Sequence, residues 1–123
     1  MAQKTILIID DTEGIFDAMT EVLTMEGYNI LTAQNEEEVH EVIEEKDGLP
    51  DLIFLDVLLS GQDGRIIAQY LKQHTKTKHI PIIMMSAHPD VSKTIFESGA
   101  DDFISKPFEM DVLFNMIKKH LKQ

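Results

Sequence analysis

Four apolar runs in this chain each stop at a residue able to handle a phosphoryl group. Ile6-Leu7-Ile8-Ile9 stops at Asp10-Asp11, Leu52-Ile53-Phe54-Leu55 at Asp56, and Ile82-Ile83-Met84-Met85 at Ser86. A shorter segment, Phe103-Ile104-Ser105, stops at Lys106-Pro107. Carboxylates are ligands for a hard divalent cation. An ammonium and a hydroxyl can neutralise and orient a transferring phosphoryl group. These residues are far apart in sequence, so the chemistry requires that their runs end side by side. An open parallel α/β sheet does this, because the crevice outside the carboxyl ends of its strands is where ligands bind.

Each residue also has a plainer reading. Asp10-Asp11 alone reads equally well as a turn or a helix N-cap, a job Thr12 would also do. Lys106 before Pro107 reads as an exposed lysine entering a turn. Asp56 after a buried strand is a candidate nucleophile, since a carboxylate attacking phosphorus gives an acyl phosphate. His88, close behind Ser86, reads first as an exposed loop residue. His40, His74, His79 and His120 lack metal-like pairing, and no role is assigned to them.

The elements that must position these groups follow from periodicity. A strand over about Thr5 to Ile9 is followed by a helix carrying Ile15, Met19, Val22 and Leu23 as one stripe. Gly27 suits its C-cap. Tyr28 to Ala33 alternates as a second strand, and Asn35 caps a helix with Val39, Val42 and Ile43 on one face. Asp47-Gly48-Leu49-Pro50 is turn chemistry. The third strand, Asp51 to Leu55, is apolar enough to be covered on both faces. Asp63 or Gly64 opens a third helix, with Ile66, Ile67, Tyr70 and Leu71 expected inward. A fourth strand spans about Ile80 to Met85, with Pro81 at its start, where a missing N–H is tolerated. Asp90 caps a helix bearing Val91 and Ile95. A short fifth strand, about Asp102 to Ser105, precedes a helix with Leu113, Met116 or Ile117, and Leu121 at helical spacing. Alternating strands and helices with short loops predict a parallel sheet with helices on both faces.

Composition narrows the function classes. The 123 residues are a usual length for one domain, and 43% hydrophobic content suffices for a packed core. No apolar stretch approaches the roughly 20 residues that span a bilayer. Met1-Ala2-Gln3-Lys4 runs straight into a strand pattern, so no secretory leader and a cytoplasmic location are expected. The chain has no cysteine, which excludes disulfides, thiolate catalysis and zinc–thiolate sites. Eleven Lys and Arg against 22 Asp and Glu leave a net charge of −11, a field that repels nucleic acid. Much of the acidity, Glu36 to Asp47, reads as a solvated helix face. Lys118, Lys119 and Lys122 suit the C-terminus of the last helix, where the dipole favours cations.

The same residues resemble the receiver domain of bacterial two-component response regulators. The resemblance is carried by the acidic pair Asp10-Asp11 and by Asp56-Val57-Leu58-Leu59-Ser60-Gly61-Gln62-Asp63-Gly64. Pro81-Ile82-Ile83-Met84-Met85-Ser86-Ala87 and Asp101-Asp102-Phe103-Ile104-Ser105-Lys106-Pro107-Phe108 complete it. It covers nearly the whole chain and implies one receiver domain over residues 1–123. The implied fold is flavodoxin-like: a doubly wound five-stranded parallel sheet in the order 2-1-3-4-5 with five helices, which sets Asp10 and Asp11 beside Asp56. The resemblance implies Asp56 as phosphoacceptor and Mg²⁺ held by Asp11, Asp56 and the backbone carbonyl of Leu58, with Asp10 acting through water. It further implies Lys106 and Ser86 on the phosphoryl group, and Ser86 and Phe103 as the switch pair. The donor would be a phosphohistidine on a sensor histidine kinase or a histidine phosphotransfer domain. The output would be a changed surface of the fourth helix, fifth strand and fifth helix, read by a downstream protein target. The chain would be a monomer or a phosphorylation-dependent dimer, with no nucleic acid or membrane partner. Sequence alone favours a trans Lys106-Pro107 bond, whereas the resemblance implies cis. Ser60 departs from the family pattern, where proline is usual; of the usual tyrosine or phenylalanine the chain has Phe103, which has no hydroxyl, and Ser86 is the smaller of the two usual hydroxyl residues. No further domain pattern follows Lys122-Gln123, so a stand-alone chemotaxis-type regulator and a module of a larger protein both stay open.

Other readings fit less well. A phosphatase of the haloacid dehalogenase type needs Asp-x-Asp after the first strand, and Asp10-Asp11-Thr12-Glu13 lacks the second of these. A flavodoxin needs a hydroxyl- and glycine-rich phosphate loop there, and this acidic run would repel the phosphate of FMN. A receiver-like adaptor that is never phosphorylated would not need all five chemical positions. The expected role is therefore a signalling switch that catalyses only its own phosphorylation and dephosphorylation, not an enzyme acting on other substrates.

Overall fold

A computed structural model describes residues 3–45, 48–59, 61–87 and 92–121. Asp47, Ser60, His88, Asp90, Val91 and Lys122, and the side chain of Ile15, lie outside what it describes.

The strands are β1 (Thr5–Ile9), β2 (Asn29–Ala33), β3 (Leu52–Asp56), β4 (Leu58–Leu59), β5 (Gln62–Asp63), β6 (Ile82–Ser86) and β7 (Asp102–Ser105). The helices are α1 (Glu13–Met25), α2 (Glu36–Glu44), α3 (Gly64–Gln73), α4 (Ser92–Glu97) and α5 (Met110–Leu121). Five parallel strands form one sheet in the order β2-β1-β3-β6-β7, which is the flavodoxin-like 2-1-3-4-5 order once the short β4–β5 hairpin is set aside. The hairpin is antiparallel and was not expected from periodicity, because two residues per strand are too few to show a pattern.

Alternation along the strands divides the core in two. Leu7, Ile9, Ile53, Leu55, Ile82 and Met84 face Val39, Ile43, Ile67, Leu71 and Ile95 of α2, α3 and α4. Ile6, Ile8, Leu52, Phe54, Ile83 and Met85 face Met19 and Leu23 of α1 and Leu113 and Ile117 of α5. A strand covered on both faces has no side left for polar residues, hence the unbroken apolar runs. Of the alternatives in the last helix, Ile117 is the buried one and Met116 packs at the margin.

Local chemistry sets the boundaries. Asn35 Oδ1 accepts the Glu38 N–H at 2.9 Å, while Glu38 Oε1 accepts the Gln34 N–H at 2.8 Å. Asp63, not Gly64, is the N-cap of α3: its Oδ1 accepts the Arg65 N–H at 2.9 Å. Gly27 takes φ +94° just after α1, a left-handed conformation that costs glycine little. The third strand ends on Asp56, one residue later than periodicity predicts, and the fourth begins at Ile82, after Pro81.

One inward assignment is overturned. Ile66 is 62% exposed, and Ala68 takes its place beside Ile67 and Leu71 in the core. Ile66 lies one residue from the centre of the buried stripe, about 100° around the helix, and points past the sheet. No helix among the described residues is long and apolar enough to cross a membrane.

Candidate functional site

Register brings the site together. Ile9 pairs with Leu55, Asp56 with Met85, and Ser86 with Ser105, so the strands finish level at one edge. Backbone bonds continue past the ends: Asp10 N–H donates to Ala33 O (3.1 Å), Val57 N–H to Met85 O (2.9 Å) and Lys106 N–H to Ser86 O (2.8 Å). Asp10, Asp56, Ser86 and Lys106 therefore arrive in one place with their backbones fixed.

Lys106 Nζ lies 2.9 Å from Asp10 Oδ2 and 3.0 Å from Asp56 Oδ2. Asp10 is fully buried and Asp56 and Ser86 nearly so. Asp10 serves two roles at once. Its Oδ1 accepts the Thr12 N–H at 2.7 Å, the turn role, while its Oδ2 meets the lysine. Thr12 is the N-cap residue of α1 without a capping bond from its side chain. Thus the turn reading holds for Asp10, and the same side chain also reaches the lysine.

Carboxylate oxygens of Asp10, Asp11 and Asp56 all lie within 4.8 Å of one another. Three carboxylates this close, two of them buried, repel each other unless positive charge intervenes, and one lysine supplies a single charge. Burial pushes the Asp56 carboxyl above its ordinary range; the hydrogen bond from Lys106 pulls it down, the charge on Asp10 pushes it up, and the net direction is upward. Burial also works against the Lys106 ammonium, but hydrogen bonds from it to Asp10 and Asp56, with their charges, outweigh this and raise its pKa. An all-oxygen donor set with surplus negative charge fits Mg²⁺, which takes one or two carboxylates and keeps several waters.

The residues open onto a cleft of about 560 Å³ lined by Asp11, Asp56, Leu58, Ser86 and Lys106, with Thr12, Gly61, Ala87 and Pro107 at its margins. Leu58 is 67% exposed at the cleft, and its N–H approaches Asp56 Oδ1 at 3.4 Å. The Lys106-Pro107 peptide is cis, as the resemblance implies and against the general preference of such bonds.

The family model described as "Response regulator receiver domain" matches residues 6–118. The chain belongs to the response regulator receiver family. Among curated proteins it is 42% identical over 125 residues to the phosphate regulon transcriptional regulatory protein PhoB of Pseudomonas aeruginosa, covering 100% of this chain and 54% of that one. It is 37% identical over 113 residues to the transcriptional regulatory protein KdpE of Staphylococcus aureus, covering 90% and 47%. The chain thus spans about half the length of these relatives. Among solved structures, a response regulator from Chloroflexus aurantiacus superposes with a TM-score of 0.90 at 34% identity, covering 99% of this receiver and all of that chain. The receiver domain of a sensor histidine kinase from Pseudomonas aeruginosa, which has a magnesium ion in its active-site cleft, superposes with a TM-score of 0.85 at 19% identity, covering 99% and 100%. That second likeness carries the fold.

Other groups in this receiver domain gave little signal in sequence. Gly64 is required by space: a Cβ there would meet the Asp56 carbonyl oxygen at 2.1 Å. In sequence it reads only as a candidate for the residue that opens the third helix. Phe103 is half-buried beside the core under α4, and Ser86 lies two strand positions further along the neighbouring strand's register. His120, left without a role above, holds Asp102 Oδ2 at 2.9 Å, and Lys119 reaches the same oxygen at 3.0 Å. His40 lies 3.5 Å from Glu36 and edge-on to Tyr70, a packing arrangement.

Proposed function

We propose that this receiver is a phosphorylation-dependent switch in which Asp56 accepts a phosphoryl group from a phosphohistidine on a sensor histidine kinase or phosphotransfer domain. The carrying observation is Lys106 Nζ within hydrogen-bond distance of both Asp10 and Asp56, which are buried beside the cleft. An Asp56 carboxylate oxygen forms the new P–O bond as the donor's P–N bond breaks, and the donor ring, already protonated on its other nitrogen, leaves with the bonding pair as neutral imidazole. Lys106 then follows the charge from the carboxylate onto a phosphoryl oxygen. Ser86, one strand over, donates its hydroxyl to another. Such transfer depends on positioning and charge neutralisation more than on covalent help. Asp11, Asp56 and the Leu58 carbonyl, with Asp10 through water, are the residues that would hold Mg²⁺. When bound it supplies the charge neutralisation that one lysine cannot.

The family match over residues 6–118 supports reading residues 1–123 as one receiver domain. In this proposal it works in the cytoplasm, as a monomer or as a dimer formed on phosphorylation. Its catalysis is confined to its own phosphorylation and dephosphorylation. The net charge of −11 works against direct contact with nucleic acid, which leaves a protein target as the immediate output. Drawing Ser86 toward the phosphoryl group vacates space for the Phe103 ring and alters the surface of α4, β7 and α5. Phe103 has no hydroxyl to bond, so packing alone sets its two positions.

Incubation with acetyl phosphate and Mg²⁺ tests this reading. Wild type gains one alkali-labile phosphoryl group, whereas Asp56→Asn and Mg²⁺-free wild type gain none. Equal modification of Asp56→Asn would reject Asp56 as the acceptor. For the output, beryllofluoride should shift NMR resonances from residue 92 to residue 117 in wild type and much less in Ser86→Ala; an unchanged pattern removes that hydroxyl from the path.

A further inference from the structure

Arg65 makes contacts that the chemistry above does not use. Its guanidinium grips Asp63 from two sides: Nε lies 2.8 and 3.1 Å from the two carboxylate oxygens, and Nη2 lies 2.7 Å from Oδ2. This pairing lowers the Asp63 carboxyl and keeps it charged, the hydrogen bond from Arg65 being its main cause. The third nitrogen, Nη1, donates to Thr94 Oγ1 at 2.7 Å, 29 residues further along the chain and on α4. One planar fork therefore spans two elements, a geometry that lysine cannot reproduce.

Asp63 is itself tied to the phosphoacceptor. It pairs with Leu58 across the β4–β5 hairpin, and the Leu58 N–H approaches Asp56 Oδ1 at 3.4 Å. The base of the loop is closed by Gly64 N–H donating to Val57 O at 2.6 Å. Because a Cβ at position 64 would strike the Asp56 carbonyl, the base of the loop sits directly against the acceptor strand. Asp56, Leu58, Asp63, Arg65 and Thr94 form an unbroken series of contacts. At its far end, α4 buries Ile95 in the core, with Thr94 exposed beside it.

We propose that Arg65 is a positioning residue that couples the loop after Asp56 to α4, by a path separate from Ser86 and Phe103. A change at Asp56 that moves the Leu58–Asp63 hairpin pulls on Thr94 through the guanidinium. The inference rests on the phosphoacceptor reading for its trigger, but the bridge itself exists in the resting protein. That separates the two tests.

In the unactivated protein, amide hydrogen exchange over residues 92–99 is measured for wild type, Arg65→Ala, Thr94→Val and the double variant. Each single change should speed exchange by about two- to tenfold, the range expected when one member of a coupling network is lost. The double variant should add nothing beyond the larger single effect. Thr94→Ser, which keeps the hydroxyl, should behave as wild type, and Arg65→Lys should resemble Arg65→Ala on α4. Additive effects, unchanged exchange, or failure of serine to rescue would overturn the bridge. Beryllofluoride then tests the coupling. In Arg65→Ala, shifts at residues 58–63 should persist while those at 92–99 shrink measurably below the wild-type response. A full α4 response in that variant overturns the coupling. If wild type shows no response to beryllofluoride at all, the phosphoacceptor reading fails instead, and hydrogen exchange alone decides the bridge.

Discussion

Lys106 and Asp56, 50 residues apart in sequence, meet at 3.0 Å, and the same ammonium holds Asp10 at 2.9 Å. One cation thus separates two buried carboxylates, with the oxygens of Asp11 also within 4.8 Å of theirs. The arrangement is unbalanced by charge at rest, and its consequences can be measured.

Removing the lysine leaves two buried carboxylates uncompensated. Lys106→Met should lower stability in chelator by about 3 kcal/mol, the scale for breaking one side of a buried pair. Asp56→Asn, which relieves crowding, should be neutral or stabilising under the same conditions. Urea titrations with and without Mg²⁺ read both. The Mg²⁺-induced gain should be present in wild type and absent in the Asp11→Ala/Asp56→Ala double variant. A Lys106→Met protein as stable as wild type in chelator would show that the pair is not buried as described.

Gly64→Ala should be more disruptive than an ordinary turn substitution. The new methyl would lie 2.1 Å from the Asp56 carbonyl oxygen, so strand end or hairpin must shift. A loss of about 2–3 kcal/mol is expected, in the range of overpacking, together with slower phosphorylation of Asp56 by acetyl phosphate. Gly61→Ala is the control, since a Cβ there meets nothing within 4 Å, though its φ of +78° adds backbone strain. If Gly64→Ala is as stable as wild type, the close approach is not real.

Asp102 provides a pH dependence away from the cation site. Burial raises its carboxyl, but bonds from His120, the Phe103 N–H and Lys119 outweigh that and lower it. A lowered carboxyl stabilises the fold fully above its unfolded value of about 3.9 and loses that contribution as pH falls through the folded value. Asp102→Asn should therefore cost about 1–2 kcal/mol at neutral pH. The gap to wild type should close as pH drops below about 4. Denaturant midpoints across that window give the answer; a gap that widens on acidification would reverse the assigned direction.

Neighbouring isoleucines on α3 should behave oppositely. Ile67 is 2% exposed and Ile66 62%. Ile67→Ala should cost about 2–5 kcal/mol, as for a core truncation, while Ile66→Gln should stay within about 0.5 kcal/mol of wild type. Thermal melts distinguish them, and a large cost at Ile66 would mean that α3 is rotated from the orientation described.

Periodicity and strand-end chemistry were enough to read from sequence the five main strands, the helices between them and the identity of Asp10, Asp11, Asp56, Ser86 and Lys106. Both signals are local: a strand buried on two faces must be apolar along its length, and a chemical residue must follow where the run stops. The strand order and the cis Lys106-Pro107 bond came with the family resemblance, since periodicity is blind to which strands are neighbours. Tertiary structure decided the rest. Whether Ile66 or Ala68 faces the sheet depends on the rotation of α3, set by packing against β3 and not by hydrophobicity. That Gly64 presses on Asp56, that His120 and Lys119 converge on Asp102, and that Arg65 reaches Thr94 are contacts between segments 8 to 29 residues apart. No repeating pattern marks them, because each depends on where two elements meet in space and not on any period within one element.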